Sequence, residues 1–327
     1  MFKGSVISSS RRVFIFFMQD NSLILHHYDF SNFSEKVRLV FALKQIGWDS
    51  VIIPSYLPKP DYLPLTGGYR RTPALQVGSD IYCDTRLIVR FLDELCPNPP
   101  LYPSGLTSSD HAKYKIIEDW AETNFMRPIA LFITGMNAQR FSEKFHRDRA
   151  NLHGKPIPSV EQVNLSAFKY EKQVDIYMDW LNCLLKGERD FVTGVTISLT
   201  DIVLYEGPWF LKKISGNCDF LKNRLELKHW FKRMSVLSLP PRNSFEGEYA
   251  LNLALNTQPK SFCEEIDVEY RMAKGTKVKV SALGENAYSI GNLVHLNSEK
   301  ICISVESKRT GLVHVHFPRQ GYSVRAI

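Results

Sequence analysis

Four prolines and a glycine fall within CPNPPLYPSGLTSS, residues 96–109, and they divide this chain more sharply than any other feature. Neither a helix nor a strand ladder runs through such a segment, because proline fixes φ and lacks the backbone N–H. The residues on its two sides must therefore fold as separate elements. At 327 residues the chain is also too long for one typical core, and two or three domains are expected.

Ahead of the prolines the hydrophobic period switches between strand and helix. LILHH (Leu23–His27) reads as a short buried strand. Phe33, Val37, Val40 and Phe41, joined by Leu39, Leu43 and Ile46, keep helical spacing up to Gly47. WDSVIIP (Trp48–Pro54) is a second strand, which makes a β-α-β unit with a parallel crossover. SYLPKPDYLPLTGGY then reads as a long loop. Ala74–Val77 and Asp80–Cys83 form a hairpin around Gly78-Ser79, and DTRLIVRFLDEL follows as a helix capped by Asp84 or Thr85. This order describes a small thioredoxin-like sheet.

Beyond the prolines the pattern is helical. Helices are expected over 110–134 and 160–186, and a third begins near Ser198, where Ser198 and Asp201 form an S-x-x-D capping box. After about Asn256 the pattern changes again. TKVKVSA, AYSIGNLVHL, EKICISVE and GLVHVHFP are short alternating segments between turns, which predict a small antiparallel barrel or sandwich. The fold class is thus α+β and multidomain: an extension over 1–22, a thioredoxin-like domain over 23–96, a linker over 97–109, an all-helical domain over 110–256 and a β-rich domain over 265–327. A tail of that size leaves unprotected edges if it stands alone, so it is expected to pack on the helical half or on a partner subunit.

Composition narrows the function. The net charge of +7 is moderate and scattered, with no basic block, so no nucleic-acid partner is expected. No apolar stretch is long enough to span a membrane. The six cysteines form no C-x-x-C pair and have no zinc-like spacing, which fits reduced thiols in a cytoplasmic chain without a metal. Residues 1–22 read as a loose extension rather than a signal peptide. His26 and His27 sit in or beside a buried strand and read as structural. Ser31, Asn32 and Ser34, at the entry to the first helix, either cap it or hold a ligand at its positive end.

The arrangement of a thioredoxin-like half, a proline-rich linker and a helical half with an S-x-x-D box resembles the cytosolic glutathione transferase superfamily over residues 23–250. SNFSEKVRLVF is similar to the start of the first helix in its Ser- and Cys-type classes (omega, tau, zeta). RTPAL matches the segment that carries a cis-proline, the Asp84-Thr85 pair stands where an acid-Ser pair is usual, and ISLTDI matches the folding box of the helical domain. The β-rich tail lies outside that pattern, and Asn32 departs from its usual proline.

The resemblance implies a homodimeric enzyme that activates the glutathione thiolate for attack on a small apolar electrophile; the alternative is a non-catalytic ligand carrier or interaction protein on the same scaffold. It implies Ser31 as the catalytic hydroxyl, with Tyr28 as the rival. It further implies that Thr72 and Pro73 pair with the cysteinyl backbone of glutathione, that Thr85 binds the γ-glutamyl carboxylate, and that Asp84 pairs with the ammonium. Arg70 and Arg71 lie beside this site, within reach of the glycyl carboxylate, the alternative for either being a solvated surface position; Arg71 is taken as the glutathione contact, and Ser34 is a further candidate. Tyr114, Trp120 and Phe125 are the candidates for an electrophile pocket between the halves.

Overall fold

The computed structural model describes residues 22–187, 189–216, 219–237, 242–261, 266 and 271–327. The expected N-terminal extension therefore lies outside the described residues apart from Ser22, as do Cys218 and Cys263.

The thioredoxin-like half runs β1 (Leu23–His27), α1 (Asn32–Lys44), β2 (Trp48–Ile52), a one-turn α2 (Leu63–Thr66), β3 (Ala74–Val77), β4 (Asp80–Cys83) and α3 (Thr85–Leu95). The helical half contributes α4 (Ser108–Trp120), a π-helical turn (Ala121–Phe125), α5 (Met126–Met136), α6 (Glu143–Leu152), α7 (Val160–Leu184), α8 (Leu199–Ser215) and α9 (Leu225–Ser235). Then come β5 (Arg242–Phe245), α10 (Gly247–Leu255) and the strands β6 (Lys277–Ala282), β7 (Ser289–Leu296), β8 (Lys300–Ser307), β9 (Gly311–Pro318) and β10 (Tyr322–Ala326). The S-x-x-D box forms as the sequence predicts. Ser198 and Asp201 cap each other's backbone at the start of α8, and Asp201 also accepts from Val192 N–H at 2.8 Å and Trp230 Nε1 at 2.9 Å.

All ten strands belong to one sheet, in the order β10-β6-β7-β8-β9-β4-β3-β1-β2-β5. The strand-rich tail is present, but its strands neither close into a barrel nor stack as a sandwich. They continue the thioredoxin-like sheet, because β9 pairs in parallel with β4 through Asp80↔His314, Ile81↔Val315 and Tyr82↔His316. Without β9, β4 would be an open edge with unsatisfied N–H and C=O groups. The tail accordingly packs chiefly on the thioredoxin-like half, where the helical half was expected, and meets the helical half through the Asn286 N–H on the Leu152 carbonyl. At the far side, β5 pairs in parallel with β2 and protects that edge.

Alternation along the strands feeds two cores. Leu23 and Leu25 face one core with Leu75, α1 and α3, and the helical half adds Phe125, Ile129, Ile202 and Trp230 to it. Ile24, Val51, Ala74 and Ile81 face the other, which holds Ala250, Leu251 and Ala254 of α10 and the tail residues Val280, Ile303, Val315 and Phe317. Gly207 lets α8 approach the π-helical turn, since a Cβ there would stand 2.6 Å from the Phe125 ring. That close crossing fixes the helical half against the first core.

Truncation after Pro259 removes the β9 partner of β4 and about half of the second core. The shortened protein should therefore lose solubility and give no cooperative thermal transition near that of the full chain. A soluble fragment with an unchanged melting temperature would refute this account of the tail.

Candidate functional site

The strand register brings the predicted residues to one end of the sheet. β1 and β3 are antiparallel with His26 opposite Ala74, and β3 and β4 are antiparallel with Ala74 opposite Cys83. The exit of β1 toward Ser31, the entry of β3 at Thr72-Pro73 and the exit of β4 at Asp84-Thr85 therefore share that end. Both α1 and α3 start there. Their N-terminal amides and dipoles make the region favourable to an anion.

Ser31 is the N-cap of α1, nearly buried, and its Oγ accepts the Ser34 N–H at 3.1 Å. That bond uses a lone pair only. The hydroxyl proton has no partner among the described residues, so capping and donation to an anion are compatible. Ser34 lies one turn inward, where its own Oγ is buried without a hydrogen-bond partner. Tyr28 carries the Arg149 guanidinium on its hydroxyl at 3.4 Å, and its ring leans on Phe30.

The Thr72–Pro73 peptide is cis. Thr72 precedes β3, and its hydroxyl accepts from Lys59 Nζ at 3.1 Å. Lys59 is buried and also donates to the Arg70 carbonyl at 2.8 Å. Burial, with Arg149 nearby, pulls its pKa down to about 7. Sequence reasoning missed this lysine; a single Lys between two prolines in a loop carries no periodicity that would mark it.

Asp84 is the N-cap of α3 at φ 75°, an uncommon left-handed setting for a residue with a Cβ. Its Oδ1 accepts Arg86 N–H at 3.0 Å, while Oδ2 accepts the Tyr322 hydroxyl of β10, also at 3.0 Å. Thr85 follows as the first residue of α3 and is buried. Arg71 forms a bidentate pair with Glu285 of the tail, Nε to Oε2 at 2.8 Å. Arg70 pairs with Asp148 of α6. Both arginines thus carry a carboxylate, Arg70 largely buried and Arg71 still partly open to solvent.

Asn32, at the position where the family usually has proline, donates to Glu206 Oε2 of α8 at 3.0 Å. Glu206 also lies 3.3 Å from the buried Lys36 ammonium, which pairs with Glu122 in the π-helical turn. Glu122 in turn accepts Arg86 Nε at 2.7 Å. Burial alone would discharge Lys36, but Glu122 and Glu206 hold its pKa above the ordinary lysine value. Burial likewise pushes Glu206 up to about 7, against the pull of Lys36. This chain of charges joins α1, α3, the π-helical turn and α8 beside the positive end of α1.

Of the residues expected to line an electrophile pocket, Phe125 is buried in the first core and Trp120 packs against it, Tyr177 and Trp180 in tilted and edge-on contacts. The aromatics beside the Ser31 loop are instead Tyr28 and Phe30, with Phe141 at 6.4 Å from Phe30 and Phe145 stacked on Phe141. His26 and His27 are buried and hydrogen-bonded to Gln76 and Ser50, and burial lowers them to about 4 and about 3. Among the described residues there is no His, Cys, Asp and Glu cluster able to hold a metal ion. No helix among them is long and apolar enough to cross a membrane.

A thioredoxin-like half presenting two helix N-termini and a cis-proline segment beside a helical half defines a two-domain architectural class. Residues 25–100 match the family "Glutathione S-transferase, N-terminal domain". The chain is 31% identical to a GST-like protein from Pseudomonas syringae, with a TM-score of 0.72 over 94% of this chain and 99% of that one. It belongs to the cytosolic glutathione transferase superfamily. Its fold is also similar to the theta class glutathione S-transferase of Xanthomonas axonopodis pv. citri, solved with glutathione bound, at 16% identity and a TM-score of 0.51 over 66% of this chain and 93% of that one. A shorter match, 34% identical over 89 residues, links it to the pyrimidodiazepine synthase of Drosophila melanogaster. That match covers 26% of this chain and 36% of the synthase, so the chain spans about a third of that relative's length.

Glu206 gives a direct test of the charged chain. Its folded-state pKa of about 7 lies above the ordinary 4.5, so the folded protein holds the proton more tightly than the unfolded one. Its contribution to stability is full below about pH 4.5 and is lost as pH rises to about 7. Glu206→Gln keeps the amide contact to Asn32 and removes the titration. Urea melts between pH 5 and 8 should show wild type losing stability relative to the variant as pH rises; a constant difference would refute the assignment.

Proposed function

We propose that this chain is a Ser-type glutathione transferase, akin to the omega, tau and zeta classes, which activates the glutathione thiolate for attack on a small apolar electrophile. The observation that carries the reading is the Ser31 hydroxyl, capping α1 with its proton unused, at the sheet end shared by Thr72-Pro73 and Asp84-Thr85. Free thiols titrate near pH 8.5, and lowering that by about two units takes roughly 2.7 kcal/mol of preferential thiolate stabilisation. A hydroxyl donating to an anion contributes ~1.5–3 kcal/mol, and a helix N-terminus up to ~1 more. Ser31 supplies both at one point.

In this reading Thr72 pairs through its backbone with the cysteinyl unit of glutathione. Thr85 and the first amides of α3 take the γ-glutamyl carboxylate, and Asp84 takes the ammonium. The thiol proton first leaves to solvent; the thiolate sulfur then forms a bond to the electrophilic carbon as that carbon's bond to its leaving group breaks, and the departing group carries off the electron pair. Tyr28, Phe30 and Phe141 offer an apolar wall for that carbon's substituents. We also propose a cytoplasmic homodimer, in keeping with the superfamily.

A second reading, a non-catalytic carrier on the same scaffold, draws support from the tail. Glu285 and Tyr322 already engage Arg71 and Asp84, two of the groups assigned to glutathione. Calorimetry separates the two readings, since no glutathione binding at millimolar concentration would sink the transferase.

Ser31→Ala should lower conjugation at neutral pH by about tenfold or more with a modest change in glutathione affinity, because the lost bond is to the thiolate. A larger effect from Tyr28→Phe would transfer the role to Tyr28. Thr85→Ala should instead weaken glutathione binding, since it touches the end remote from sulfur. An unchanged binding isotherm would count against this placement of the ligand.

A further inference from the structure

The register that gathers the candidate site also brings one end of the tail to it. β9 runs parallel to β4, so its exit at Pro318 lies on the side of Asp84, and Tyr322 follows within the next turn. β10 pairs with β6 through Tyr322↔Ala282, which places the turn after Ala282, with Glu285, at the same end. Tyr69, Arg71, Glu285, Tyr288, Phe317 and Tyr322 surround one small cavity there.

One carboxylate, Glu285, lines this cavity, and a second, Asp84, is tied to it through the Tyr322 hydroxyl. Asp84 is held by the Tyr322 hydroxyl, which also lies 3.4 Å from the Tyr69 hydroxyl. The Glu285 side chain is 5% exposed and grips Arg71 through both oxygens, while the Arg71 side chain keeps 37% of its surface open to solvent. Asn286, next in the chain, is fixed by its N–H to the Leu152 carbonyl at the end of α6, 3.0 Å away. The turn that carries Glu285 is therefore anchored on both sides.

We propose that Glu285 is a specificity-determining residue of the candidate glutathione site, contributed by the tail. Resting on the functional reading above, it neutralises Arg71 and disfavours a ligand carboxylate at that end. A second carboxylate approaching Arg71 must either displace a bidentate partner or accept like-charge repulsion from it. Tyr322 acts alongside as a positioning residue that orients Asp84 toward a ligand ammonium. The site then reads the γ-glutamyl end of its ligand by charge and tolerates an uncharged group, such as an ester or amide, at the glycyl end.

Titration calorimetry on the full chain, with glutathione and with its glycyl monoethyl ester, tests this. Wild type should bind the two with similar affinity, whereas Glu285→Gln should bind glutathione about fivefold more tightly than the ester, the worth of one partly exposed ion pair. The wild-type ratio needs no variant and stands even where E285Q is poorly folded. Wild type favouring glutathione fivefold or more would overturn the inference and leave the transferase reading intact. So would a ratio that E285Q leaves unchanged. Binding of neither ligand at millimolar concentration would overturn the functional reading and this inference together.

Discussion

The parallel pairing of β4 with β9 is the contact on which the rest of the molecule depends. A four-stranded thioredoxin-like sheet ends at β4, and all four residues of that strand are buried. Its backbone groups need partners, and the tail supplies them. Once β9 is in register, Val315 and Phe317 join Ile81 and Ala74 in a common core, and α10 closes over both. β9 therefore continues the sheet of the first half of the chain although more than two hundred residues separate it from β4. The same pairing delivers Tyr322 and the Glu285 turn to the end of the sheet where α1 and α3 begin.

The two halves are tied at that end by charge as well as by apolar packing. Asn32, Lys36, Glu122, Glu206 and Arg86 form a continuous chain from α1 across to α8 and back to α3. A buried ammonium facing two carboxylates costs desolvation, so its contribution is to geometry more than to net stability. It holds the first turn of α1 against α8, and thereby fixes where the Ser31 hydroxyl stands. The π-helical turn is part of this device, since it carries Glu122 and Phe125, the first facing Lys36 and the second seated against Gly207.

Much of the scaffold was legible in the sequence because it rests on local rules. β1, α1, the Gly78-Ser79 hairpin and the Ser198–Asp201 box each follow from period, turn or capping chemistry within a few residues. The partners of Arg71 and Asp84 were not legible in this way, because Glu285 and Tyr322 lie 214 and 238 residues away. Nothing local in GENAYS or QGYSV distinguishes a site residue from a turn. The tail's alternating segments identified strands, but alternation does not say which neighbour a strand takes, and closure on itself and extension of another sheet give the same pattern. Lys59 and the row Phe30, Phe141 and Phe145 were hidden for the same reason, as their meeting is made by the fold of α6 against the loop after β2.

The charges around the candidate site decide what kind of anion it suits. Arg70 is paired with Asp148, Arg71 with Glu285, Arg86 with Glu122 and Asp119, and Lys36 with Glu122 and Glu206. A cation already neutralised by a fixed carboxylate adds little field for a newcomer. What remains for an incoming anion is the Ser31 hydroxyl, the first amides of α1 and α3, and Lys59, whose pKa burial pulls down to about 7. Neutral donors at helix ends select by position and hydrogen-bond geometry, whereas free cations attract any phosphate or carboxylate. Such an arrangement suits a single, weakly hydrated negative centre held close to the backbone. A thiolate meets that description better than a phosphate does, because its one charge is spread over a large, soft sulfur that a few well-placed donors can satisfy.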